Sequence, residues 1–338
     1  MNAVVFDHSQ EHQESYVIGV DMGLVQIRSA IIKGGKVIRE ERMSIKRQEN
    51  SPEVVISLIY RVIDVVLEKQ GMLFEEIAGI GIGVPGLVDY SADKIVQLPN
   101  VDGWRDIKLA ERLSSQFRAK GKISPPIILD NDANAAALGL HFSTKCNNMV
   151  YLTISTGIGA GVIIEGRVLR GFKGSAGELG HMIIYGGGDV CTGCNNAGCL
   201  EAYSSGKAIA QRAERKRVEL AIEDDELDLD WPSHIVRLVE QAYRNNNSYA
   251  KEIVERAAEA LGLGIVNIAN TFNPEKIILG GFVTNLIGDL IVERSNRYLR
   301  ECALPASHEV IIDKNIKRSE EIPILGAGAL AWEHLRNL

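Results

Sequence analysis

Two stretches of this 338-residue chain are built alike, and that likeness constrains the fold more than any single motif. An apolar run at 16–20 ends in Asp21-Met22-Gly23 and resumes at 27–32. A second run at 149–154 ends in Ser155-Thr156-Gly157-Ile158-Gly159 and resumes at 161–164. Each reads as a strand, a glycine turn and an antiparallel return strand, and Gly34-Gly35 turns the first pair again into 36–39. Helix and strand signals then alternate. Val55, Ile59, Val62, Ile63 and Val66 recur at helical spacing over 52–69, with Pro52 near the start and Gly71 just past the end. The run 77–84 reads as a buried strand ending in Pro85-Gly86, 107–117 as a helix, 127–129 as a strand after Pro125-Pro126, and 133–140 as an alanine-rich helix. Beyond the second hairpin come helices near 205–219, 235–243, 250–269 and 286–299, a strand at 276–279 and a terminal helix at 327–335.

Two related α/β halves follow from that order, and 338 residues are enough for two cores. The expected domains are 1–130 and 131–338, with the terminal helix near 327–338 packing back onto the first. Such a boundary sets Asp130-Asn131-Asp132 between the domains, where alternating folds commonly bind ligands. Composition narrows the partners. With 44 Asp+Glu against 37 Lys+Arg the net charge is −7, so the basic surplus that nucleic-acid binding exploits is missing. A 46% hydrophobic content argues against disorder, and charges break every apolar run before bilayer-spanning length, so neither a nucleic acid nor a membrane is an expected partner. The polar, acidic N-terminal segment does not read as a secretion signal, which makes the cytoplasm the expected location. Residues 223–230 hold six acidic side chains in eight positions and read as a solvated loop.

Five cysteines are too few, and odd in number, for a disulfide scaffold, yet Cys191, Cys194 and Cys199 fall within nine positions and His181 precedes them by ten. Three thiolates and an imidazole satisfy tetrahedral zinc, and Gly188, Gly193 and Gly198 allow the turns that bring such ligands together. Reduced, buried cysteines are the bland reading of the cluster, while Cys146 and Cys302 read as isolated buried or surface residues. A redox dithiol would need a preceding strand and a helix starting inside the motif, and neither signal is evident. With all four ligands from protein, the zinc would be structural, fixing a loop and with it the nearby carboxylates of Glu178 and Glu201. Sugar hydroxyls suit such a pair.

Glu178-Leu179-Gly180-His181, followed by Cys194 and by Gly198-Cys199-Leu200-Glu201-Ala202-Tyr203, resembles the signature of the ROK family of sugar kinases, repressors and open reading frames. The likeness runs from Gly19 to about Ala331. It implies an actin-like, hexokinase-like ATPase fold of two α/β domains with the sugar in the interdomain cleft. In the kinases it implies ATP- and Mg²⁺-dependent phosphorylation of a hexose or N-acetylhexosamine, often at the 6-hydroxyl. Carried over by residue, Asp132 matches the catalytic base, and Gly83, Asn100, Asn131, Glu178, His181 and Glu201 match sugar-contacting positions, His181 also being a zinc ligand with Cys191, Cys194 and Cys199. Asp21 and Gly23 match the first phosphate loop, Thr156, Gly157 and Gly159 the second, and Gly280 and Gly281 the adenosine-side turn. Relatives imply a homodimer or a dimer of dimers.

Three departures bear on activity. Leu24 and Val25 stand where the family pattern has Gly-Thr, which removes a hydroxyl donor and puts phosphoryl transfer in doubt. Phe282 replaces a glycine after Gly280-Gly281, and Thr192 and Asn195 stand where relatives carry Cys and Gly. Asp132 also has an ordinary alternative role as the N-cap of the helix that follows it. The expected activity is therefore that of a sugar kinase, with a sugar-responsive regulatory or sensory protein as the alternative; about 15 residues before the first strand are too few for the DNA-reading domain of a repressor.

Overall fold

A computed structural model describes residues 14–46, 50–98, 101, 103–216, 232–314 and 319–336. The chain divides into two compact units, one of Met1–Lys145, Gly166–Ala176 and Glu320–Leu338, the other of Cys146–Glu165 and Gly177–Ser319. The acidic stretch 223–230 and the N-terminal residues 1–13 lie outside the described residues.

In the first unit β1 (Val17–Met22) and β2 (Gln26–Lys33) form the expected hairpin, and β3 (Lys36–Ser44) extends it. Next come α1 (Pro52–Gln70) and β4 (Gly79–Val84), then β5 (Leu87–Asp89), β6 (Lys94–Gln97) and β7 (Arg105–Ile107) in a small sheet of their own. After α2 (Leu109–Ala119), β8 (Ile127–Asn131) completes the main sheet, ordered β3-β2-β1-β4-β8, and α3 (Asp132–Thr144) leaves its end. The five apolar residues that mark α1 are all buried, Pro52 occupies its first turn, and Gly71 closes it with φ 70°. One expected helix starts late: Ile107 ends a strand paired with Ile95, and the helix begins at Leu109.

Glycines on β1 and β4 serve packing as much as turning. A Cβ on Gly81 would lie 1.8 Å from the Ala327 carbonyl, and one on Gly19 would lie 2.3 Å from that of Ile324, so the terminal helix Ile322–Arg336 rests directly on both strands. The same helix meets α3 where a Cβ on Gly326 would fall 2.1 Å from the Ala135 carbonyl.

The second unit repeats the plan. Hairpin β9 (Met149–Ile154) and β10 (Ile158–Ile164) pairs in parallel, through β9, with Lys276–Gly280, which pairs in parallel with Ile311–Asp313. Asp21 of β1 sits opposite Gly83 of β4, as Thr153 of β9 sits opposite Gly280. Helices α4 (Glu201–Ser204), α5 (Gly206–Arg215), α6 (Ser233–Arg244), α7 (Ser248–Phe272) and α8 (Phe282–Cys302) complete it. No helix among the described residues is long and apolar enough to cross a membrane.

Candidate functional site

In the first unit the chemistry gathers at the carboxyl ends of β1, β4 and β8. Asn131, the last residue of β8, is the N-cap of α3: its Oδ1 accepts from the backbone N–H groups of Ala133 (2.9 Å) and Asn134 (3.3 Å). Its Nδ2 donates to the Gly86 carbonyl at 3.0 Å, pinning the turn that follows β4. The helix therefore starts from Asn131, and Asp132 stands on its first turn, where its Oδ1 accepts from the Ala133 N–H at 2.8 Å. A helix N-terminus favours negative charge, which suits a carboxylate there. Gly83 is the neighbour across β4, since a Cβ placed on it would lie 3.6 Å from the Asp132 Cα. Asn100 lies outside the described residues.

Behind this edge lies a cluster that spacing did not signal. Asp130 is 2% exposed, and its Oδ1 accepts from the Asn131 N–H (2.7 Å) and Asn134 Nδ2 (2.9 Å). Arg170 donates from Nε to the Asp130 Oδ2 at 2.7 Å and from its second amino nitrogen to the Glu333 Oε2 at 2.6 Å, with Tyr90 4.0 Å below the guanidinium. Burial alone would lower the Arg170 pKa, and the two carboxylates more than reverse it.

On the β1 hairpin, burial raises the Asp21 carboxyl above the usual carboxylate range, against the opposing pull of Arg28 at 3.6 Å; Glu40 adds to the rise. Arg28 is held by both Glu40 oxygens at 3.0 and 3.1 Å. The turn closes through the Gly23 N–H on the Gln26 carbonyl at 3.0 Å. Neither Leu24 nor Val25 takes a positive φ, and the two side chains are 44% and 75% exposed, an apolar tip on a turn expected to meet phosphate.

In the second unit the turn Thr156–Gly159 is tied to the segment that follows the cysteines. Ile158 N–H donates to the Glu201 Oε2 at 2.8 Å, and the N–H groups of Gly206 and Lys207 donate to the carbonyls of Ser155 (2.8 Å) and Thr156 (3.1 Å). Thr156 itself is exposed. Phe282, which replaces the expected glycine after Gly280-Gly281, starts α8 with its ring against Gly206, where a Cβ would lie 2.4 Å from the Phe282 Cζ. Gly281 needs its φ of 89°, and a Cβ there would strike the Ile154 carbonyl at 2.3 Å.

His181, Cys191, Cys194 and Cys199 each turn one ligand atom inward, and the four atoms lie within 4.8 Å of one another. The Cys194 and Cys199 sulfurs are 3.5 Å apart, and Cys191 Sγ is 3.7 Å from the His181 Nδ1. Two sulfurs bound at about 2.3 Å to a tetrahedral centre would be roughly 3.8 Å apart, so the residues present fit a zinc ion. Burial pushes the Cys191 thiol up to about 12 and raises that of Cys199. For Cys194 burial acts in the same sense, but the Asn196 N–H and the other two thiols outweigh it and lower the pKa. Asn195 takes φ 62°, a conformation asparagine tolerates better than other side-chain-bearing residues, which is how the loop does without the expected glycine. Glu178 precedes the single turn that carries His181, and burial raises its carboxyl; His181 opposes that shift and Glu201 adds to it.

The sequence profile of the ROK family matches residues 17–334. The chain belongs to the ROK family. Among ROK relatives, the xylose repressor of Caldicellulosiruptor bescii is 30% identical over 323 residues, covering 93% of this chain and 77% of the repressor. The glucokinase of Halalkalibacterium halodurans is 30% identical over 299 residues, 86% of this chain and 87% of that enzyme. Among solved structures, the ROK glucokinase of Streptomyces griseus in complex with glucose and AMPPNP superposes with a TM-score of 0.74 at 26% identity, covering 94% of this chain and 100% of that one. The mixed α/β architecture is thus that of the two-domain, hexokinase-like ROK proteins.

Proposed function

We propose that the protein is an ATP-dependent kinase of a hexose or N-acetylhexosamine, acting at the 6-hydroxyl with Asp132 as general base. The observation that carries this reading is the division of labour at the end of β8: Asn131 caps the helix, so the Asp132 carboxylate stands on the first turn without having to start it. A hydroxyl attacking phosphorus must be oriented and relieved of its proton, and a carboxylate within about 3 Å does both. Gly83, Asn100 and Asn131 join Asp132 in the proposed sugar contacts of the first unit; Glu178, His181 and Glu201 supply those of the second. Gly23, Thr156, Gly157 and Gly159 are assigned to phosphate, Gly280 and Gly281 to the adenosine side, and Asp21 to magnesium. When bound, Mg²⁺-ATP supplies the phosphoryl group and the cation that neutralises its developing charge.

Support from relatives is of the same kind, since the Halalkalibacterium protein is a glucokinase and the Streptomyces enzyme holds glucose and AMPPNP. With Mg²⁺ and ATP, a panel of glucose, mannose, fructose, N-acetylglucosamine and N-acetylmannosamine is expected to include one sugar that accelerates ADP release and yields a sugar phosphate. A second reading, a sugar-binding sensor without turnover, is favoured by the exposed Leu24 and Val25 and by the likeness to a xylose repressor. Sugar binding with no sugar phosphate from any of the panel would replace the kinase reading by the sensor.

The metal assignment carries its own test. Protein purified with its thiols reduced is expected to hold about one zinc per chain, and metal analysis finding none would overturn the ligand set.

A further inference from the structure

Glu201 lies between two glycines that belong to different loops. A Cβ on Gly157 would sit 2.7 Å from its Oε2, and one on Gly193 would sit 2.6 Å from its Oε1 and 3.1 Å from the His181 Cε1. A side chain at either position would displace the carboxylate, so both loops leave room for it. The Ile158 N–H donates to Oε2 at 2.8 Å across 43 residues of sequence, and on the other side the Cys191 Sγ lies 3.5 Å from Oε1. Below the carboxylate, α4 runs directly into α5, whose first N–H groups hold the carbonyls of Ser155 and Thr156. Arg212 fastens α4 from its other end, donating to the carbonyls of Ala202 (2.7 Å) and Tyr203 (2.6 Å) and to Asp189 (2.8 Å) beside the cysteine loop.

We infer that Glu201 is a strut: braced by the metal loop through Gly193, it fixes the Thr156–Gly159 turn in the conformation that receives phosphate. It is thus a positioning residue for the nucleotide in addition to its proposed contact with sugar. The strut rests on the metal assignment; its consequence for ATP rests on the kinase reading. The position of Ile158 N–H is set by the carboxylate oxygen, and that oxygen is set by a backbone the metal ligands hold. Loss of the ion would release Cys191, Cys194 and His181 together, and Gly193 with them.

Hydrogen exchange on the metal-loaded 338-residue chain tests this without requiring turnover. Losing a charge-assisted hydrogen bond at Ile158 is expected to speed exchange in peptides covering 155–162 by about 10–100-fold in Glu201→Ala, with one zinc still bound. Glu201→Gln keeps an acceptor oxygen and is expected to restore the slow exchange. Stripping the metal from wild type should reproduce the fast exchange of these peptides and add little in Glu201→Ala. AMPPNP is expected to bind more weakly to Glu201→Ala than to Glu201→Gln. Unchanged exchange at 155–162 in zinc-loaded Glu201→Ala would overturn the strut, as would Glu201→Gln exchanging as fast as the alanine variant. Indifference of the wild-type turn to metal removal would overturn the brace. If wild type itself binds no AMPPNP, the kinase reading fails while the exchange result still decides the strut.

Discussion

Replacing Asp132 by asparagine is expected to lower kcat for sugar phosphorylation by about 10²–10⁴-fold, the usual contribution of a positioned general base. The variant should keep its fold. Asn131 supplies both cap hydrogen bonds of α3, and an asparagine at 132 retains an oxygen for the Ala133 N–H that Asp132 now receives. Steady-state kinetics with the sugar found in the panel would show the fall in kcat with little change in the KM for ATP, because Asp132 is proposed to act on the hydroxyl and not on the nucleotide. An Asp132→Asn enzyme within a few fold of wild type would end the general-base assignment, since a neutral amide cannot take up the proton. Asn131→Ala makes the contrast. It removes the cap and the bond to the Gly86 carbonyl, and is expected to cost about 1 kcal/mol of stability for the cap.

The parts of this protein that could be read from its sequence are those whose signal is local. Val55, Ile59, Val62, Ile63 and Val66 announce α1 because a helix repeats every 3.6 residues, and all five are buried as that repeat requires. The hairpins declare themselves through glycine turns between apolar runs, and the cysteine cluster through spacing. Boundaries were less legible. Ile107 fits the apolar spacing of the helix after it, yet pairs with Ile95 as a strand, a choice made by a partner twelve residues away. The role of the strand glycines was not legible either. Gly19 and Gly81 fall inside apolar runs that read as strands, and nothing local says that they are small because the terminal helix, some 250 to 300 residues later, lies against them. The Glu201 contact with Ile158 has the same character. It joins residues 43 apart, and neither residue type nor spacing marks it.

Arg170 is the clearest case of a residue without a local signal, and its replacement by methionine is expected to be the most destabilising change considered for this protein. Its partners stand 40 residues before it and 163 after it, and the three side chains are only 16%, 2% and 8% exposed. An exposed ion pair would contribute about 0–1 kcal/mol. Here the removal of one guanidinium would leave two carboxylates facing each other with little water to solvate them, and breaking a buried pair in that way costs about 3–5 kcal/mol. The loss should be visible as a drop in the urea midpoint of unfolding. A triple change, Arg170→Met with Asp130→Asn and Glu333→Gln, removes the charges together and should recover part of it, because the penalty comes from the uncompensated carboxylates. Recovery would be incomplete, since Asp130 also holds the Asn131 N–H and the Asn134 side chain at the start of α3. A loss below about 1 kcal/mol for Arg170→Met would mean that the carboxylates find other donors or water, and would remove this cluster as the support on which Asn131 and Asp132 are held.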